Sequence, residues 1–117
     1  MSGKVIVLDK SFDFAVRVVN LYKYLCNDKK EFTLSKQLLR SGTSIGANKA
    51  GQSKADFISK MSIASKEARE TKYWTELLIK TDYLNIKEDY VKSLLNEIDE
   101  LIKIITSIVK TSKENSR

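Results

Sequence analysis

Residues 91–108 read Val91-Lys92-Ser93-Leu94-Leu95-Asn96-Glu97-Ile98-Asp99-Glu100-Leu101-Ile102-Lys103-Ile104-Ile105-Thr106-Ser107-Ile108. Within them Val91, Leu94, Ile98, Leu101, Ile105 and Ile108 alternate spacings of three and four, which lines the six side chains up on one face of an α-helix that packs against other helices. Leu95, Ile102 and Val109 form a second row with Ile104 beside it, so the apolar stripe is wider than a two-helix seam requires, and two different surfaces are expected to cover it. Asn85 stands ahead of Ile86, Lys87 and Glu88 as an N-cap with an acidic third position, and Asp89 adds negative charge where the helix dipole favours it. The predicted start lies near residue 86.

The same period extends upstream. Ser53 followed by Asp56 resembles a capping box, and Phe57, Met61, Ala64, Ala68, Trp74, Leu77 and Leu78 carry a predicted helix over about 54–82. Phe14, Val18, Leu21 and Leu25 form one line and Ala15, Val19, Tyr22 and Cys26 the next, which predicts a first helix over 10–27. Asp28 to Phe32 is a charged connector, after which Thr33 is positioned to cap a second helix through Leu34, Leu38 and Ile45. The chain has no proline and only four glycines in 117 residues, so little interrupts long helices. One all-α domain of four helices is expected, with residues 1–9 as an N-terminal arm and 112–117 as a flexible tail.

Several chemistries are excluded at once. There is no histidine and a single cysteine, Cys26, which removes Ser-His-Asp, Cys-His and His-metal sites and any internal disulfide. No metal and no cofactor is expected. The apolar run Val5 to Leu8 is too short for a signal peptide, and Lys103 interrupts the most apolar segment, Leu101 to Val109, well short of the roughly 18 residues a membrane span needs. A cytoplasmic protein with no membrane contact is expected.

Charge is unevenly placed. The formal net charge is +6, and residues 1–54 carry ten basic and four acidic groups while residues 55–117 carry eleven of each. The first half therefore holds the whole excess. A basic face attracts phosphate backbones by releasing condensed counterions, and many lysine-rich proteins reach such a charge for solubility alone.

The second helix is unusual in being built from small residues: Ser41, Gly42, Thr43, Ser44, Gly46, Ala47, Ala50 and Gly51. Each glycine costs up to about 1 kcal/mol of helix propensity. Either another helix approaches the backbone closely there, or the helix frays after Ile45. The run Gln37-Leu38-Leu39-Arg40-Ser41-Gly42-Thr43-Ser44-Ile45-Gly46-Ala47-Asn48 resembles the signature of the 23S rRNA intervening-sequence proteins. The likeness begins at Asp9-Lys10-Ser11-Phe12 and continues through Ala55-Asp56-Phe57-Ile58-Ser59-Lys60-Met61-Ser62-Ile63-Ala64, Lys66-Glu67-Ala68, Glu70-Thr71 and Tyr73-Trp74, covering about residues 8–110. The resemblance implies an antiparallel up-down four-helix bundle that assembles as a homopentamer. It also implies a fold similar to the accessory protein of diversity-generating retroelements, which binds a reverse transcriptase and nucleic acid. No enzymatic activity is implied, and the family's label as ribosomal protein comes from genes lying inside an inserted segment of the large ribosomal RNA gene. The sequence departs from the family after Asn48, where about four residues, including a glutamate, are missing before Gly51. A loss of four residues rotates the downstream part of a helix by only about 40°, so helix faces are kept while one turn is removed.

Glu67 and Glu70 would suit a di-iron bundle only beside histidines, which are absent; instead Arg40 is expected to reach Glu67 or Glu70, where a guanidinium bridging carboxylates would fix the register of helices 2 and 3, in preference to the alternative of phosphate contact. Ser41, Ser44 and Asn48 have no neighbouring base and are expected to pack or hydrogen-bond between helices. Tyr22, Tyr24, Tyr73 and Trp74 fall at helical spacing, which places them in the core or a subunit interface in preference to a base-stacking role. Cys26 is expected to act as a small buried hydrophobe. Two functions compete. In the first, a non-enzymatic homo-oligomer binds RNA or DNA, or a nucleic-acid-processing partner, through a basic surface of Lys10, Arg17, Lys23, Lys29, Lys30 and Lys36, with Arg17, Lys23 and Lys30 outside the seam made by helix 4. In the second, the bundle is a protein-interaction adaptor whose charge serves only solubility.

Overall fold

The apolar rows close into a bundle in the computed structural model, which describes residues 3–47 and 53–115. Its helices are α1 (Gly3–Asn27), α2 (Leu34–Ser44), α3 (Lys54–Lys80) and α4 (Asp89–Asn115). No strand occurs among the described residues. Each helix packs on its neighbour in sequence and α1 closes against α4, while the diagonal pairs stay apart. This is an antiparallel up-down four-helix bundle, 49 × 23 × 22 Å. The core is the set of rows read from the sequence: Phe14, Val18, Leu21 and Leu25 of α1, Leu38 of α2, Met61, Ala64, Ala68 and Leu78 of α3, and Val91, Leu94, Ile98, Leu101 and Ile105 of α4 are all buried. The second row of α4, Leu95, Ile102 and Val109, is only half-buried at the edge of that core.

Helix ends differ from expectation, each for a local reason. α1 starts at Gly3 rather than residue 10, so residues 3–9 are helical and not an arm. Val7, seven residues before Phe14 and 2% exposed, continues the core row across Ser11, which is also buried; the polar residue in that row hides its extension from a reading of apolar spacing. α3 ends at Lys80, two residues early. Asp82 adopts φ 69° and the N–H groups of Asp82 and Tyr83 return to the carbonyls of Ile79 (3.1 Å) and Leu78 (3.0 Å), a left-handed helix stop in which aspartate stands where glycine is usual. α4 starts at Asp89 and not near 86, because the Asn85 side chain accepts the Lys87 N–H at 2.9 Å and closes a turn that precedes the helix. At the far end α4 runs on to Asn115, taking in most of the expected tail. The start of α3 is as read, with Ser53 Oγ accepting the Asp56 N–H at 3.1 Å.

The small residues of α2 explain how closely it lies on α1. A Cβ added at Gly42 would sit 2.8 and 2.9 Å from the two methyls of Val18, and one at Gly46 would sit 2.8 Å from Ser11 Cβ. Hydrogen is the only substituent that fits. The helix nonetheless ends at Ser44, and Ile45 to Ala47 form a turn that keeps Ile45 buried, so close approach and an early end both hold. On the opposite flank Thr71 Oγ1 of α3 donates to Ser41 Oγ at 3.0 Å inside the core, which gives Ser41 the interhelical bond expected of it. Asn48 and the apparent four-residue shortening after it lie outside the described residues.

Candidate nucleic-acid interface

The six cations proposed for a basic surface divide into two groups. Lys10 and Arg17 are seven residues apart on α1 and so share one line of the helix, the line that faces α4. Lys10 forms an ion pair with Glu100, and that hydrogen bond, followed by the charge of Glu100, raises its pKa above the usual lysine value. Arg17 Nη1 lies 2.7 Å from Glu97 Oε1 and 3.1 Å from Ser93 Oγ, while Nη2 donates to the Tyr90 carbonyl at 3.1 Å. This corrects the expectation for Arg17: it lies in the α1/α4 seam, where three acceptors of α4 hold its guanidinium. The periodicity of α1 alone shows which residues share a line, but not which neighbouring helix that line meets.

Lys23, Lys29, Lys30 and Lys36 are exposed and form no ion pair among the described residues. All four lie at one end of the bundle, on the last turns of α1, the α1–α2 loop and the first turn of α2. The loop is built around Glu31. Its carboxylate accepts the N–H groups of Thr33 (3.2 Å), Leu34 (3.1 Å) and Ser35 (2.7 Å), and Ser35 Oγ donates to the Glu31 carbonyl at 2.7 Å. Glu31 therefore caps α2, and Thr33, expected to do so, has a helical backbone and makes no side-chain cap bond. Burial pushes the Glu31 pKa up, and the backbone donors, led by Ser35, outweigh it, so the net shift is downward. Lys30 takes a left-handed φ of 55°, and the Glu31 N–H returns to Leu25 O at 3.0 Å. Glu31 was missed because its signal, an acid three residues ahead of a helix, is indistinguishable in sequence from a solvated charge in a polar connector. The consequence for the surface is that Glu31, 8% exposed, turns its charge inward and leaves the lysines around it facing solvent.

The structure also brings Arg40, Glu67 and Glu70 together. Arg40 Nη1 is 3.4 Å from Glu67 Oε2 and Nη2 is 2.9 Å from Glu70 Oε2, joining α2 to α3. Glu67 is the buried member, with 12% of its side chain exposed against 55% for Arg40. The aromatic residues separate: Trp74 packs against the core and meets Tyr73 edge-on at 4.9 Å, whereas Tyr73 and Tyr24 are exposed, which leaves for those two the interface side of the expectation and not the core side. Cys26 is half-buried, with Sγ 3.8 Å from Ser35 Oγ. Among the described residues no group of three or more Cys, Asp or Glu side chains is placed to hold a metal ion, and no helix is long and apolar enough to cross a membrane.

The chain is thus an all-α up-down bundle with small residues between α1 and α2, an arginine paired across α2 and α3, and a lysine-rich loop end. The sequence profile of the 23S rRNA-intervening sequence proteins matches residues 3–107, and the chain belongs to that family. It is similar to a crystal structure of a protein of unknown function from the S23 ribosomal protein family of Bacteroides thetaiotaomicron VPI-5482, with 54% identity and a TM-score of 0.88 over 93% of this chain and 99% of that one. No curated protein matches the chain.

Proposed function

We propose that the protein is a non-enzymatic, self-associating helical bundle that binds nucleic acid through the lysines at its α1–α2 end. The observation that carries this reading is the division of the cations. Lys10 and Arg17 are bonded to carboxylates of α4, whereas Lys23, Lys29, Lys30 and Lys36 have no ion-pair partner among the described residues and surround a loop in which one of the two acids, Glu31, is buried and only Asp28 is exposed. Unpaired surface lysines are the groups that release counterions on meeting phosphates, and their contacts are largely independent of base sequence. Self-association adds to this. Exposed Tyr73 and Ile86 line, with Glu76, Leu77, Ile79, Lys80 and Leu95, a groove of about 480 Å³ where α3 meets the start of α4, and its apolar members offer a surface for a second copy. A second copy covering this groove repeats the lysine end in a closed ring, a homopentamer by resemblance to the family, and weak single contacts then add on one polyanion. The experiment is binding of labelled RNA at about 50 mM salt by the native chain and by a variant with Lys23, Lys30 and Lys36 reversed to glutamate. Binding by the first and none by the second, with unchanged helicity and mass, supports the reading. No binding by the native chain overturns it. The exposed α3/α4 groove then favours the protein-adaptor reading, in which that groove takes a protein partner.

A further inference from the structure

The loop between α1 and α2 carries a feature that charge alone does not explain. Phe32 is 59% exposed, is not packed on the core, and stands in the stretch Lys29-Lys30-Glu31-Phe32-Thr33-Leu34-Ser35-Lys36. An apolar ring left in water on a loosely held loop would carry little meaning. This loop is instead held by the Glu31 carboxylate, which takes the N–H groups on the C-terminal side of Phe32, and by the Glu31 N–H bound to Leu25. The ring is thus presented on a preorganised backbone, with Lys29 and Lys30 before it and Lys36 after it, and with Asp28 as the one acid of that loop not turned inward.

Resting on the nucleic-acid reading above, we propose that Phe32 is a stacking platform and that the ligand of this end is single-stranded nucleic acid rather than a duplex. Sequence-tolerant single-strand sites combine cations that follow the backbone with an aromatic face on which an unpaired base lies, and both parts are present within these eight residues. A base in a duplex already stacks on its neighbours and offers its face to no side chain, so Phe32 discriminates in favour of the unpaired strand. The other aromatic groove at the α1/α4 seam fits this ligand less well. It is lined by Arg17, Asn20, Leu21, Tyr24, Glu88 and Tyr90, its one cation is already bonded to α4, and Glu88 repels phosphate. The strand therefore runs along residues 29–36.

The test compares a labelled 12-nucleotide single-stranded RNA with a blunt duplex of the same length, using the full chain at about 50 mM salt. Phe32→Ala is expected to weaken single-strand binding about tenfold or more while leaving duplex binding unchanged, and Phe32→Trp is expected to retain it. Because the ring is exposed, both variants should melt with the native chain, which separates loss of stacking from loss of fold. Equal single-strand affinity for Phe32→Ala and the native chain overturns the platform. If the triple lysine reversal still abolishes binding in that case, the basic-surface reading stands without it. Failure of the native chain to bind either RNA overturns both. Poly-glutamate displacing the single strand from the native chain but not from Phe32→Ala assigns the ring to an acidic protein segment and also overturns the proposal.

Discussion

Arg40 pairs with carboxylates, and Glu31 takes up backbone N–H groups, that the bundle would otherwise strand. With Arg40→Ala the carboxylate of Glu67, nearly buried between α2 and α3, loses its counter-ion, and a cost of about 1–2 kcal/mol is expected, discounted because the guanidinium itself is more than half exposed. For a domain of this size that lowers Tm by roughly 4–8 °C, and Lys23→Ala, which removes a surface charge with no ion-pair partner among the described residues, should leave it within about 2 °C. Thermal melts followed by circular dichroism check both, and equal melting temperatures would contradict the role given to Arg40. Glu31 makes a pH prediction. Its pKa is lower in the folded chain than the ordinary 4.5, so its contribution is fully present above that value and is lost as pH falls through the lower folded value. Glu31→Gln should therefore cost about 1 kcal/mol at pH 7, and the gap between it and the native chain should shrink below about pH 4.5. A gap that is constant from pH 7 to pH 3 in denaturant titrations would mean the carboxylate charge does not cap α2.

At the scale of the helices, the close seat of α2 on α1 is the feature most sensitive to change. A methyl at Gly42 has no space beside Val18, so Gly42→Ala should destabilise by about 1–3 kcal/mol even though alanine favours helix. Gly42→Ala combined with Val18→Ala should cost less than the sum of the two single variants, since the truncation that opens the core at Val18 also removes the two methyls in the way. Chemical denaturation of the single and double variants measures this. The helices themselves were legible from the sequence, because Val91 to Ile108 and Phe14 to Leu25 repeat at a period that only a helix satisfies. Their ends were less so. Asn85 and Thr33 both look like caps, and which polar side chain reaches a free N–H depends on the turn geometry of residues 85–88 and 31–35, which no spacing rule contains. Arg40 with Glu67 and Glu70 was legible because two carboxylates one turn apart on α3 offer a fork to one guanidinium. Arg17 was not, because composition counts it as a free cation and only the pairing of α1 with α4 shows Glu97, Ser93 and the Tyr90 carbonyl around it.

For the whole molecule, the half-buried row of Leu95, Ile102 and Val109 and the exposed Tyr73 and Ile86 motivate a closed assembly. Light scattering should give about five times the 13.3 kDa chain mass across the micromolar range. Ile102→Glu, which places a charge in that row, should reduce it. A monomer mass for the native chain would contradict the covering of this face by a second copy. The claim on which function depends is that the lysines at the α1–α2 end are free to meet phosphates, and the salt dependence of single-stranded RNA binding tests it most directly. The logarithm of the affinity should fall linearly with the logarithm of salt between about 50 and 200 mM, with a slope near 0.7 per phosphate contacted. It should lose about 0.7 from that slope for each of Lys23, Lys29, Lys30 and Lys36 replaced by alanine, while the slope stays unchanged for Lys10→Ala, whose charge is already engaged by Glu100. A slope near zero for the native chain, or one that Lys10→Ala lowers as much as Lys30→Ala does, would contradict the account.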